Sequence, residues 1–414
     1  MRLSAVQFVI FFFFAACGVV GSPSDKPSSI RFSGVPALGF DPDNGFGFGA
    51  VGAMYVDKEN YRPYQMALGL KVYLTTKGVN SHAIQLDQVR AFGLPLRLTT
   101  RLGFFSTIAQ NYCGPASDAQ CAMRDAEFAA AERVNEEREK FINHYYQNRF
   151  MSFFGHVASR WLLWQGQAKL ELMLAYRGNY YLTGDFKHRG PYEDSLYQKD
   201  YLNQKTDGYL STLELGLMLD KRDNEPAPTS GYWLETSARG GSFLIGSAWD
   251  YFGSNAALRF YFPLDDDHRL VIASQTIADV IVGDLPFDAI SRIGGSQALS
   301  DYTAIGGQHI GRGIREQRYV GRIKFIEQGE FRYNFWSFSL LRQQFDLNGA
   351  VMADLGMTAW DFSRFTKDMQ HVYLGFGGGL RIYWNKTFVI RGDLGVSPNE
   401  NFSPKFYLVV GNVF

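Results

Sequence analysis

Apolar and polar residues alternate with period two along almost the whole chain, and beyond the first twenty residues no apolar run is long enough for a membrane helix. Between Gln65 and Leu74 one face carries Met66, Leu68, Leu70, Val72 and Leu74, and the other Gln65, Ala67, Gly69, Lys71 and Tyr73. Leu213, Leu215, Leu217 and Leu219 share a side while Thr212 and Glu214 face the other way. Near the end Phe388, Ile390 and Leu394 alternate with Val389, Arg391 and Asp393. Such a period belongs to strands with two unlike faces. A soluble β-sandwich would produce it too. Three features favour a transmembrane barrel. The strands run to about ten residues, the length of a tilted span of hydrocarbon. Arg391 and Asp393 occupy the face that a sandwich would keep dry, whereas a barrel lumen is wet. The last stretch, Phe406 to Phe414, is itself a strand.

Connections sort into two kinds. Tight turns fall at Glu59–Pro63, Ala91–Pro95, Trp164–Gln167, Asp265–His268 and Asn385–Lys386, and long polar loops at Asn111–Asn148, Asp185–Asp207, Leu285–Gly321 and Trp360–Gln370. Short turns at one end and long loops at the other are the asymmetry of outer-membrane barrels. The fold class is therefore all-β, a single antiparallel barrel of about sixteen strands over residues 34–414. One insertion departs from the β pattern: residues 118–148, rich in Ala, Glu and Arg, place Phe128, Ala131, Val134, Phe141 and Tyr145 at helical spacing. They predict an amphipathic helix in an outer loop.

Met1 and Arg2 precede an apolar stretch from Val6 to Val20, broken by Gln7 and Gly18. This predicts a signal peptide over residues 1–21, cut ahead of Ser22, with a short segment 22–33 before the first strand. The run Phe14-Ala15-Ala16-Cys17 is a loose lipobox, and use of it would leave Cys17 lipidated instead. Ordinary cleavage leaves Cys113 and Cys121, a close pair that predicts a disulfide in an exported chain.

The 41 basic and 41 acidic residues balance, so no nucleic-acid partner is expected. Gly47-Phe48-Gly49-Ala50-Val51-Gly52 spells a dinucleotide fingerprint but lies within a strand, with no helix N-terminus to receive a phosphate. Gly294-Gly295-Ser296-Gln297-Ala298 lacks the last glycine of a nucleophile elbow. No catalytic set, cofactor site or metal-ligand cluster emerges, and the expectation is a protein that is not an enzyme.

Four stretches, in order, carry a family resemblance. They are Asp220-Lys221-Arg222-Asp223-Asn224 with Pro228-Thr229-Ser230-Gly231; Ile305-Gly306-Gly307-Gln308 with Gly311-Arg312-Gly313-Ile314; Glu330-Phe331-Arg332 with Ala353-Asp354-Leu355-Gly356; and Phe406 to Phe414. Together they resemble the barrel of the BamA-type outer-membrane superfamily, also called the bacterial surface antigen family. In this chain Gly311 and Ile314 flank the Arg-Gly pair, where the family usually has an aliphatic and an aromatic residue. The resemblance implies that the Arg-Gly motif of the sixth loop, Arg312 and Gly313, folds into the lumen to meet Glu330 and Asp354. Parity agrees: Arg322, Lys324, Gln328, Glu330 and Arg332 share one face, and Asp346, Asn348, Met352 and Asp354 share one on the next strand. A guanidinium forks to two carboxylates and would lock the loop.

The resemblance also implies integral residence in the bacterial cell outer membrane. It marks Phe406, Gly411 and Phe414 as a C-terminal assembly signal read by the barrel-assembly machinery. Ser22 to Ser33 is too short for a POTRA domain, so the expectation is a stand-alone barrel. Beside membrane lipid, its implied partner is a separate periplasmic protein. Two functions stay open: movement or insertion of polypeptide or another substrate at the outer membrane, or a structural or surface-antigen barrel plugged by its sixth loop.

Overall fold

Sixteen strands, each paired antiparallel with the next in chain order, account for the alternation. The computed structural model describes residues 29–414 except 42–44, 60, 62, 115–122, 125, 128–129, 131–135, 185–194, 202–203, 297–304, 342 and 386–387. The first eight strands are β1 (Ser29–Asp41), β2 (Gly45–Asp57), β3 (Met66–Thr75), β4 (Asn80–Gln88), β5 (Leu96–Asn111), β6 (Gln147–Gln165), β7 (Lys169–Gly184) and β8 (Gly208–Asp220). The second eight are β9 (Gly231–Gly241), β10 (Tyr251–Pro263), β11 (Leu270–Gly283), β12 (Ile323–Leu340), β13 (Gln343–Ala359), β14 (Tyr373–Trp384), β15 (Phe388–Val396) and β16 (Lys405–Val410). The sheet is a barrel whose first and last strands lie side by side. Its fold class is the one the alternation predicts.

Side chains obey the parity. Leu213, Leu215 and Leu217 stand exposed on the outer wall, and Glu214 between them is buried in the lumen. Burial of this kind inverts a soluble protein: the apolar face meets lipid and the polar face forms the interior. Every connection from an even strand to the next odd one is short, such as 166–168 and 341–342. The long excursions, 112–146, 185–207 and 284–322, all leave from the other end.

Three predicted boundaries move, one of them at the end, where the last strand stops at Val410 instead of running to Phe414. The first strand starts at Ser29 rather than after Ser33, because the alternation begins earlier: Ile30 and Phe32 are exposed, while Arg31 between them bonds Asp57 across the β1–β2 ladder at 3.1 Å. The outer-loop helix ends before 148. Its longest continuous described stretch is Glu136–Tyr145, residues 123–124, 126–127 and 130 are helical too, and Gln147 and Asn148 already pair with Asn111 and Gln110 on β5. The signal peptide, Cys17, Cys121 and the helical positions Phe128, Ala131 and Val134 lie outside the described residues.

Above the long-loop end an aromatic cluster closes the barrel. Tyr112, Ile142, Tyr146, Phe150, Tyr181 and Phe287 are all buried there, with Phe141 and Tyr145 of the helix packed against them. Tyr112 and Phe287 meet edge to face at 4.8 Å. Cys113 is disulfide-bonded beside this cluster, and Cys121, its expected partner, lies outside the described residues.

Candidate functional site

The connection from β11 to β12, residues 284–322, does not extend outward; its described parts turn down into the lumen and are mostly buried. This is the loop called the sixth below. A backbone can enter a polar interior only if its N–H and C=O groups find partners there. Two separate clusters on the wall supply them.

The first cluster receives Gly294, Gly295 and Ser296. The Gly294 amide donates to Asp279 at 3.1 Å and the Gly295 amide to Glu214 at 2.7 Å. The Ser296 amide donates to Glu235, and its hydroxyl donates to the other oxygen of that carboxylate at 2.7 Å. The hydroxyl is committed to holding the loop. Arg239 forks onto Asp279 at 2.8 and 3.1 Å, Lys324 reaches the same carboxylate at 3.0 Å, and Arg177 donates to the Gly295 carbonyl at 2.8 Å. A Cβ at 294 or 295 would meet the Arg239 guanidinium or the Glu235 carboxylate and push it from its present place, and Gly295 also adopts φ +86°. Sequence reasoning missed this anchor, although the inward parity of Glu214 was a signal for it.

The second cluster receives Arg312. Its Nε and Nη2 fork onto Asp354 at 3.0 and 2.7 Å, and its own amide donates to Asp354 at 2.8 Å. Nη1 engages Glu330 and lies 3.5 Å from Asp393. Glu330 is shared further, with Arg381 at 2.8 Å and Arg332 at 2.7 Å. Asp393 accepts from Arg381 and Arg391, each at 2.6 Å. The structure thus brings together Arg312, Glu330 and Asp354, joins Arg332 of the same motif stretch to them, and adds three strand residues outside the motifs, Arg381, Arg391 and Asp393. Arg391 and Asp393 correct an expectation. They face the lumen, but the loop covers them and leaves them dry, with Arg391 0% and Asp393 1% exposed.

Close approach of the loop depends on glycines in the wall. Gly313 (φ +98°) lies against Val396, where a Cβ would come within 2.6 Å of main-chain atoms. A Cβ on Gly375 would overlap the Arg312 carbonyl, and one on Gly395 would come 2.6 Å from the Gly313 nitrogen. Nearby, Tyr319 of the loop stacks on Tyr373 of β14, with ring centroids 3.4 Å apart. Just outside the membrane span, Glu400 accepts the Arg315 amide and Arg318 Nη1, both at 2.9 Å. Burial alone would raise the Glu400 carboxyl, but Arg318 and Lys405 hold it below the usual range.

The predicted assembly signal is split. Phe406 faces outward and is exposed. Gly411 adopts φ +102° and turns the chain inward, so Phe414 is buried beside Tyr261, Val271 and Ala273 instead of standing at the barrel's outer rim. Arg332 lies over its ring at 5.2 Å and donates to its main-chain oxygen at 3.2 Å. A pocket on the far wall outcompetes lipid for this ring, because it adds a cation–π contact to apolar burial.

Two solved structures share this architecture. BamA from Haemophilus ducreyi, lacking POTRA domains 1–3, aligns over 94% of this chain and 70% of that one, with 14% identity and a TM-score of 0.52. CdiB from Escherichia coli aligns over 94% of this chain at 11% identity and a TM-score of 0.57, and the chain spans 62% of its length, less than two thirds. At such identities they show the fold alone. No curated protein matches the sequence. The model of the Omp85 superfamily domain, however, matches residues 93–414, most of the chain and every element of the loop site. With the motifs, the inward loop and the barrel in agreement, the chain belongs to the Omp85 superfamily, as an outer-membrane β-barrel.

Proposed function

We propose that this barrel handles an extended polypeptide at the outer membrane, at the seam between β1 and β16 rather than through its lumen. One observation carries the reading. β16 has six residues and pairs with β15, and among the described residues no backbone ladder joins it to the thirteen residues of β1. A strand edge with free N–H and C=O groups is a template for another strand. In lipid those groups have no water to turn to, so an incoming strand gains more there than at an aqueous edge. The lumen, by contrast, is occupied by the twice-anchored sixth loop. The client polypeptide, and a periplasmic protein delivering it, are the partners this reading names.

The test uses purified barrel in liposomes and an unfolded eight-stranded outer-membrane polypeptide as probe. The barrel is expected to accelerate folding of the probe, and a disulfide engineered across β1 and β16 to abolish the acceleration until it is reduced. Equal rates with open seam, sealed seam and empty liposomes would reject the proposal. The plugged lumen would then favour the second reading, a structural or surface-antigen barrel.

A further inference from the structure

Between the aromatic cap and the Gly294–Ser296 anchor lies a cavity of about 50 Å³. The sixth loop supplies one side of it, with Leu285, Ala289 and Ile293, and the barrel wall supplies the other. On that wall His156 of β6, Arg177 of β7 and Thr212 of β8 stand directly opposite one another across the ladders, so their side chains leave neighbouring strands about 5 Å apart. Among the described residues the lining holds three guanidiniums, of Arg177, Arg239 and Arg292, and the His156 imidazole, but no carboxylate. Hydrogen bonding leaves donors over. Arg177 uses Nη2 on the Gly295 carbonyl and on Glu214, and its Nε is buried without a partner among the described residues. Thr212 and Tyr251 share one hydrogen bond at 2.6 Å, so one of the two hydroxyl protons is left for another acceptor. His156 Nε2 lies 3.1 Å from Asn179 Oδ1 and donates to it, which leaves Nδ1 buried and unmatched among the described residues.

Charge is left over as well. Arg239 and Lys324 both sit on Asp279, Arg177 on Glu214 and Arg292 on Asp288, so four cations share three carboxylates here among the described residues. Neighbouring Glu235 is already matched by Arg259. The odd positive charge lies in a dry part of the lumen, where leaving it uncompensated is costly. We propose that the cavity is a binding site for one small monovalent anion of chloride size. The Arg177 Nε–H and the spare hydroxyl proton of the Thr212–Tyr251 pair donate to the ion, and the Arg239 and Arg292 guanidiniums flank it. His156 Nδ1 accepts from a water that shares the cavity. A single negative charge balances the cluster. The volume admits a halide with accompanying water and shuts out a phosphate headgroup of a lipid or a sugar. The site stands independently of how the seam works.

Bromide is the probe, because it scatters anomalously and matches chloride in charge and nearly in size. Crystals of the full chain grown in sodium bromide are expected to show an anomalous peak inside the cavity, within hydrogen-bonding reach of Arg177 Nε. In detergent solution, replacing gluconate by bromide at constant ionic strength should raise the unfolding temperature in a saturable way, since gluconate is too large to enter. Lys324→Met removes the odd charge without touching the lining, and should weaken bromide binding by about tenfold or more. Thr212→Val combined with Tyr251→Phe removes the hydroxyl donors and should weaken it by a similar factor. A cavity without anomalous signal at saturating bromide overturns the proposal, as does an unfolding temperature that responds equally to bromide and gluconate. Undiminished affinity in both variants also rejects it, because the ion would then be held by neither this charge nor these donors. If the variants do not fold, the anomalous map of the wild type still decides.

Discussion

The two sides of the lumen differ sharply. Along β3 and β4 the inward face carries Gly69, Lys71 and Gln85, which keep solvent contact, with Asp87 at its short-turn end buried. Along β12–β15 the inward face carries Glu330, Arg332, Asp354, Arg381, Arg391 and Asp393, each no more than 3% exposed. Both faces have the same period and both are polar. What separates them is the sixth loop, which covers one wall and leaves the other wet. A charge on the wet wall is solvated by water, whereas on the covered wall it must be solvated by other side chains, so removal of one partner strands the rest. Alternation therefore reports which way a side chain points but not how dry its surroundings are.

The largest break in this contrast is expected from Arg312→Ala. It strips Asp354 of both guanidinium bonds, leaving only the main-chain amide of residue 312, and should cost about 3–5 kcal/mol, the range for an uncompensated buried charge. Lys at this position should rescue poorly, for want of a fork. Limited proteolysis between residues 305 and 319, together with heat-modifiable migration on gels, measures the loss. The shared bonds also sharpen the choice of second site. Asp354→Asn should recover part of the loss, because Arg312 is its partner. Glu330→Gln should not, because it would also weaken Arg332 and Arg381. If Glu330→Gln rescues as well as Asp354→Asn, the cluster is not shared in the way described.

A methyl group probes the two walls directly. Gly395→Ala on the covered wall forces a carbon to 2.6 Å from the Gly313 nitrogen and should destabilise by about 1–3 kcal/mol, as overpacking does. Gly69→Ala on the wet wall meets nothing nearer than 3.9 Å and should change stability by no more than about 0.5 kcal/mol. Equal effects in thermal unfolding would erase the contrast.

At the long-loop end, reduction of the Cys113 disulfide should loosen the aromatic cap by about 2 kcal/mol, as closure of a short loop predicts. Mass spectrometry of unreduced protein showing two alkylatable thiols would contradict a Cys113–Cys121 bridge. The smallest effect belongs to the short-turn end, where Glu225 accepts from Arg97 at 2.8 Å. Burial there opposes ionisation, but Arg97 and Arg160 outweigh it and take the carboxyl from 4.5 to about 2. A depressed folded-state value means that the contact contributes above pH 4.5 and is lost as the pH falls toward about 2. Thermal unfolding should show this slope in the wild type and a weaker one in Glu225→Gln. A steeper slope in the variant would reverse the sign.

Much of this molecule was legible before any coordinates. The strand count, the two kinds of connection, and the inward parity of Glu330 and Asp354 all follow from local alternation, because a strand shows its two faces in its own residues. Arg312 came from a motif resemblance, since nothing in its neighbourhood says where a loop will fold. The Gly294–Ser296 anchor was not seen, as its carboxylates sit on β8, β9 and β11 and share no sequence pattern with the loop. The inward turn at Gly411 likewise depends on a pocket more than a hundred residues away, at Tyr261 and Val271.

By itself, then, the sequence determined that the chain forms half-polar strands and that they close into a lipid-facing barrel, because period-two burial leaves few other ways to satisfy every backbone group in hydrocarbon. Tertiary structure alone decided which wall the sixth loop covers, which charges lose their water, and what holds the last strand. Those outcomes depend on groups far apart in the chain reaching bonding distance, and no local pattern encodes that distance.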